Sequence, residues 1–367
     1  MSWKYLLRRI AFSPYDYKAT HINPDKVSLA VIHIPDQIGD AMSIFPVIRS
    51  LERQKVDHII IVASTLNKTV FDDLILASTR LTVIEMTFQD NASLAEVKAV
   101  ALEIRKAFGT PDLCVEAMRK NNFKTMCFIK NLKAKTNFQV VGLSLRCFSP
   151  ACKIPSRMDQ VFRAPVPLTW SIMMREAGFP LVRPRFEFPL GEDVQNEVRE
   201  DLDYAGKYVA LNFEGSVDER TFSAAMIKKI IILIRQQLKI PVVIVHSPKG
   251  MNTAIELEQM CDHVYRLNLA PSIKRSAAVI KDAFIVITPD TSILHIASAF
   301  NIPTLAIYAN YKTRWPAMQD IAETIVVGNH INDLNLDEFS MALRSLQTRL
   351  GLPHEDREVS AGHAVNE

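Results

Sequence analysis

Short runs of β-branched and aliphatic residues recur along this chain, each separated from the next by a segment with amphipathic-helix spacing. That alternation constrains the fold more than any other feature. Strands linked by helices pair as parallel neighbours, so the pattern predicts βαβ units around parallel sheets. In the first half, strands are expected at Ser28–Ile34, His58–Ala63, Thr82–Glu85, Leu113–Glu116 and Phe138–Gly142, with helices at Ala41–Arg53 and Leu94–Phe108. In the second half, strands are expected at Tyr208–Phe213, Val242–His246, Val264–Leu267, Phe284–Thr288 and Thr304–Tyr308, with helices at Ser223–Leu238, Asn252–Cys261, Ser272–Lys281 and Ser292–Phe300. Each half holds enough strands for its own doubly wound sheet, so the 367 residues divide into two α/β domains facing a cleft.

The segment Gly178–Leu190 carries three prolines and breaks the alternation, so it reads as the link between the domains. The expected division is 1–184, 185–352 and a disordered tail at 353–367, which has no apolar period. A last helix is expected over Leu334–Leu350, placed either in the second domain or folded back on the first.

Charge and cysteine usage remove several function classes. The chain has 43 Lys and Arg against 40 Asp and Glu, a net charge of +3, which is too mild for a dedicated nucleic-acid binder. Its five cysteines are odd in number and form no CxxC pair, so neither a disulfide framework nor a zinc site is favoured. No apolar run approaches the roughly 18–20 residues that span a bilayer, and the start MSWKYLLRRI lacks the apolar stretch of a secretory signal. A cytoplasmic protein is expected.

In open α/β sheets, ligands bind beyond the carboxyl ends of the strands, so the turns leaving those strands are the candidates for chemistry. The first is VIHIPDQIGDAM, in which Gly39 allows close backbone approach and Asp40 lies at the helix start. Asp40 is either a general base for an attacking hydroxyl or a helix-end residue favoured by the macrodipole. The second is ITPDTSILH. Here Thr291, Ser292 and their amides suit a diphosphate, and Asp290 caps the helix or turns to ribose hydroxyls. His295, one turn further on, either reaches the same ligand or lies packed. The third is NFEGSVDERTF, where Gly215, Ser216 and Arg220 are placed to clamp a phosphate, unless Arg220 is an ordinary surface residue.

Two basic features remain. The run Arg119-Lys120-Asn121-Asn122-Phe123-Lys124 either faces a phosphorylated acceptor through Arg119, Lys120 and Lys124 or is a solvated loop. The segment WKYLLRRIAFSPYDYK has the make-up of a short amphipathic helix on an anionic membrane surface, or of an arm packed on the domain. His33 and His246 lie near strand ends and either see the cleft or are satisfied structural histidines.

A Gly-Asp turn after the first strand and an Asp-Thr-x-x-x-His turn late in the chain together resemble glycosyltransferase family 9, the ADP-heptose:lipopolysaccharide heptosyltransferases. The resemblance runs from about Val27 to Leu350. Within the family, KATHINPDKVSLAVIHIPDQIGDAM looks most like the enteric outer-core enzymes.

The resemblance implies the GT-B fold of two Rossmann-like domains, with Asp40 as general base and Gly39 beside the acceptor. It places the donor on Gly215, Ser216, Arg220, Asp290, Thr291, Ser292 and His295, with Phe222 in the family's aromatic position. Ser292 departs from the family's usual Gly, and Arg220 with Phe222 departs from its Lys and Trp.

No metal or other cofactor is implied. The implied partners are ADP-heptose, a lipopolysaccharide core acceptor and the cytoplasmic face of the inner membrane, with no nucleic acid. Two rival readings stay open. One is a GT-B transferase of another nucleotide sugar such as UDP-GlcNAc, and the other is a non-catalytic two-lobed sugar-binding protein.

Overall fold

A computed structural model describes residues 3–87, 91–118, 122–140, 145–202, 206–310 and 313–352. Among these the strands form two sheets, both parallel throughout. The first contains β1 (Leu29–His33), β2 (His58–Ala63), β3 (Arg80–Glu85), β4 (Leu113–Glu116) and β5 (Thr136–Phe138) in the order β3-β2-β1-β4-β5. The second contains β6 (Val209–Asn212), β7 (Val242–Val245), β8 (Val264–Arg266), β9 (Ile285–Pro289), β10 (Thr304–Tyr308) and β11 (Ala322–Val326) in the order β11-β10-β9-β6-β7-β8.

Every residue of β1, β2, β6, β7, β9 and β10 is buried, as expected for parallel strands covered on both faces. The edge strand β11 was not anticipated. Its sequence AETIV buries only Ile325 fully, which leaves no apolar run to read.

The chain divides into two compact units. The first is Met1–Asn196 with His295–Phe300 and Lys312–Met318; the second is Glu197–Leu294 with Asn301–Tyr311 and Gln319–Glu367. The unit boundary falls beyond Pro184 for a physical reason. Gly178–Leu190 lacks regular structure over most of its length, yet Phe179, Val182, Phe186 and Phe188 are buried. Ser50 and Ser171 donate hydrogen bonds to the Pro180 and Val182 carbonyls at 2.7 and 2.6 Å, and Arg49 pairs with Glu187 at 2.8 Å. These ties hold the proline-rich segment in the first unit. The helix Leu336–Arg349 stays with the second unit, where Phe339, Leu343 and Leu346 join Ile230, Ile234 and Ile325 in one core.

The expected helix Ala41–Arg53 is instead two helices, Ile38–Ser43 and Phe45–Arg53. Pro46 lacks the N–H for the next rung and its ring crowds the preceding turn, so the first helix stops. Near the N-terminus, the helix Trp3–Phe12 buries Phe12 among Met126, Ile129 and Leu145 and leaves Leu7 and Ile10 exposed. The five cysteines are unpaired. Cys114, Cys127, Cys147 and Cys152 are buried in the first unit, and Cys261 in the second is half-buried. Burial pushes the four buried thiols up, that of Cys152 to about 12.

Candidate active site

In the first unit, the turn after β1 is held from beneath by a residue that sequence reasoning missed. Asn67 is fully buried. Its amide donates to the carbonyls of Pro35 and Gln37, and its oxygen accepts from the Ser64 N–H at 2.9 Å. Ser64 Oγ in turn donates to the Asp36 carbonyl at 3.1 Å. The backbone of Pro35–Gln37 is thereby fixed, and with it the start of the helix that presents Asp40. Asp40 is half-buried in the first helical turn, and its carbonyl accepts from Ser43 Oγ at 2.8 Å.

Gly39 has no left-handed backbone; its need for glycine is steric. A Cβ there would lie 3.1 Å from His295 Cδ2 and 3.8 Å from Trp315 Cζ3. His295 is packed rather than exposed to a ligand. Its ring stacks on Phe186 with centroids 4.5 Å apart and leans on Trp315 at 5.2 Å, and its Nδ1 has no hydrogen-bond partner. Burial without a compensating charge depresses its pKa to about 3, so the imidazole is neutral near pH 7. Phe186 and Trp315 were also missed. The first lies in the segment read as a link, and the second in a stretch with no strand or helix pattern.

His33, at the end of β1, is a buried structural histidine. Its Nδ1 is 2.7 Å from Glu116 Oε2, and its ring stacks on Phe128 with centroids 4.1 Å apart. Arg119 and Lys120 lie outside the described residues. Lys124 sits half-buried in the first turn of the helix Phe123–Leu132.

In the second unit, two strand ends meet. Asn212 closes β6 and donates through Nδ2 to Thr288 Oγ1 (3.0 Å), Thr291 Oγ1 (3.2 Å) and the Glu214 carbonyl (3.0 Å). This buried amide joins the Gly215 loop to the Asp290-Thr291 turn, and the sequence reading had passed over it. Thr291 Oγ1 accepts from the Ile293 N–H at 3.2 Å, capping the helix Ser292–Phe300.

Arg220 Nη1 lies 3.4 Å from Asp290 Oδ2. Asp290 is raised above the usual carboxylate range by burial, which the guanidinium only partly offsets. Arg220 is part-exposed, so its remaining N–H groups reach solvent. Gly215 is indispensable: a Cβ would lie 2.4 Å from Arg220 Cβ and 2.5 Å from the Arg220 carbonyl oxygen. The Gly215 N–H donates to Thr221 Oγ1 at 3.1 Å, completing a tight loop with Ser216 exposed at its tip. Phe222 is a core residue of this unit.

Beyond the ends of β7 and β8 lies a small recess of about 20 Å³. It is lined by Ile244, His246, Leu267, Leu269, Val279 and the cap residue Ser272, among others.

Two α/β units, each built on a parallel sheet, are the GT-B architecture of glycosyltransferases. The comparisons with known proteins agree. A family model described as glycosyltransferase family 9 (heptosyltransferase) matches residues 158–338, and the chain belongs to that family. A glycosyl transferase family 9 structure from Veillonella parvula superposes with a TM-score of 0.72 at 15% identity, covering 90% of this chain and all of that one.

The ADP-heptose lipopolysaccharide heptosyltransferase II of Escherichia coli superposes with a TM-score of 0.64 at 16% identity, over 88% of this chain and 99% of that one. The E. coli heptosyltransferase WaaC with ADP gives 0.65 at 14%, over 87% and 99%. At these identities the likeness is one of fold. In sequence, the chain is 60% identical over 229 residues to the uncharacterized protein YeeL of E. coli K12, covering 62% of this chain and 98% of that one.

Proposed function

We propose that the protein transfers heptose from ADP-L-glycero-β-D-manno-heptose to a sugar hydroxyl of the lipopolysaccharide core, with inversion and without a metal ion. The observation that carries this reading is the second unit's strand edge, where Asn212 ties Thr291 to the Gly215 loop and Arg220 stands beside Asp290. A diphosphate there meets the helix start at Thr291 and Ser292, the Ser216 hydroxyl and the outer face of Arg220. The Arg220 guanidinium beside Asp290 offsets the repulsion its carboxylate would otherwise exert. Fixed donors of this kind meet the charge that grows on the leaving diphosphate, the task a divalent cation performs elsewhere.

Asp40 acts as general base. Its carboxylate accepts the proton of the acceptor hydroxyl as the oxygen bonds to the anomeric carbon and the bond to the diphosphate breaks on the opposite face. The Asn67 and Ser64 hydrogen bonds keep that carboxylate's helix in place. His295, neutral and packed against Gly39, supports the same turn and does not touch the donor. The acceptor is lipid-anchored and phosphorylated, so Lys124 and the Arg119-Lys120 pair serve its phosphates. The exposed Leu7 and Ile10 of the N-terminal helix rest on the cytoplasmic face of the inner membrane. Among the described residues no helix is long and apolar enough to cross a membrane.

The test is mass spectrometry of truncated core lipopolysaccharide incubated with the protein and ADP-heptose in excess EDTA. A gain of one heptose is expected. Product formed only with UDP-GlcNAc would overturn the heptose assignment, and product abolished by EDTA would overturn metal independence. Asp40→Ala should lower turnover by roughly 10²–10⁴-fold with ADP affinity unchanged; near-normal turnover would remove Asp40 from the mechanism.

A further inference from the structure

The segment Lys153–Arg163 (KIPSRMDQVFR) is folded inside out relative to an ordinary surface helix. It runs as a helix over Lys153–Arg157 and continues as a wider π turn over Met158–Phe162. Its inward face carries Pro155, Ser156 and Asp159, all buried, and Asp159 is ion-paired with Arg314. Its outward face carries Ile154, Val161 and Phe162, which are 51%, 62% and 68% exposed. Lys153, Arg157 and Arg163 are exposed around them. The segment's only acidic residue is turned inward and neutralised, so the exposed side presents three cations and no carboxylate of its own. A soluble surface helix puts its charge outward and its apolar side chains inward. Here apolar and basic groups share the solvent side.

We infer that this face is a docking surface for a bilayer rich in anionic lipid. Ile154, Val161 and Phe162 enter the headgroup boundary while Lys153, Arg157 and Arg163 meet lipid phosphates, their stems lying along the apolar patch. Charge complementarity favours this occupant over a polynucleotide, which would leave three large apolar side chains in water, and apolar groups ringed by cations are the make-up of a segment that lies in a lipid headgroup layer. The face lies in the first unit, apart in sequence from Leu7 and Ile10, so it supplies the second signal that stable membrane attachment needs. The inference deepens the proposed reading, in which the acceptor is lipid-anchored, and its test uses neither donor nor acceptor.

Flotation of the full-length protein with phosphatidylcholine vesicles, with and without phosphatidylglycerol, reads the binding directly. Wild type should float with the anionic vesicles only. Each cation removed among Lys153→Gln, Arg157→Gln and Arg163→Gln should weaken partition about fivefold, and the triple variant more than 100-fold. Val161→Ser with Phe162→Ser should also release the protein at unchanged melting temperature, with Leu7→Ser and Ile10→Ser measured alongside to separate the N-terminal helix.

Wild-type binding that ignores phosphatidylglycerol, or triple-variant binding equal to wild type, would overturn the inference. So would a dimer in sedimentation that dissolves on Val161→Ser and Phe162→Ser, which would assign the face to a second copy. Transfer to a deacylated, water-soluble acceptor tests the proposed reaction separately, and these surface variants should leave it unchanged.

Discussion

Replacing His295 by phenylalanine isolates a titration that the fold has suppressed. The imidazole lies between Phe186 and Trp315 with Nδ1 unpartnered, and its pKa falls from the ordinary value near 6.5 to about 3. Because the folded pKa is depressed, the unfolded chain binds the proton more readily between these values. Stability is therefore full above the unfolded pKa and is lost as pH falls through that window. At pH 5 the unfolded histidine is largely protonated and the folded one is not, which costs about 2 kcal/mol relative to pH 7.

Phenylalanine keeps the ring stack and cannot titrate, so His295→Phe should lack this loss. The assay is urea unfolding of both proteins at several pH values, followed by tryptophan fluorescence. The wild-type-minus-variant difference in unfolding free energy should fall by about 2 kcal/mol between pH 7 and 5. Other carboxylates and histidines cancel in that difference. A difference that stays flat over the same range would refute the burial argument.

Three further substitutions test the scaffold around the candidate residues of each unit. Gly39→Ala introduces a methyl 3.1 Å from His295 and should cost about 1–3 kcal/mol, seen as a lower melting temperature, with turnover falling as Asp40 is displaced. Gly215→Ala places Cβ against the Arg220 backbone, which cannot yield as a side chain tip would. ADP affinity measured by calorimetry should drop at least about tenfold, the loss of one charge-assisted hydrogen bond. Asn67→Ala strips the donor from the Pro35 and Gln37 carbonyls and should cost about 1–3 kcal/mol in thermal unfolding, together with a lower kcat at unchanged ADP affinity. Unchanged melting temperature in Asn67→Ala would show that those carbonyls find other donors.

The sheets were legible because parallel strands buried on both faces leave near-continuous β-branched runs such as His58–Ala63 and Val242–Val245. Edge strand β11 left no such run and was missed. The same logic separates what could be read of the site from what could not. Asp40, Arg220, Asp290 and Thr291 announce themselves as polar residues at strand ends.

Asn67, Asn212, Phe186 and Trp315 act through residues 30 to 129 positions away, by hydrogen bonds and ring contacts that no local pattern encodes. Gly39 was recognised as a position of close approach, but that a Cβ there would meet His295 is visible only once the chain is folded. Gly178–Leu190 misled for a related reason. Prolines mark the absence of helix, whereas Phe186 and Phe188 decide where the segment packs.

The cysteines offer a way to watch the two units come apart independently. Cys114, Cys127, Cys147 and Cys152 are shielded in the first, with thiols held protonated by burial, and Cys261 alone belongs to the second. A thiol reagent added to the native protein should therefore modify Cys261 quickly and the other four only when the first unit opens. Counting modified sulfurs against time, by intact mass, turns the chain's own composition into a clock for the opening of one unit, read against an internal standard carried by the other.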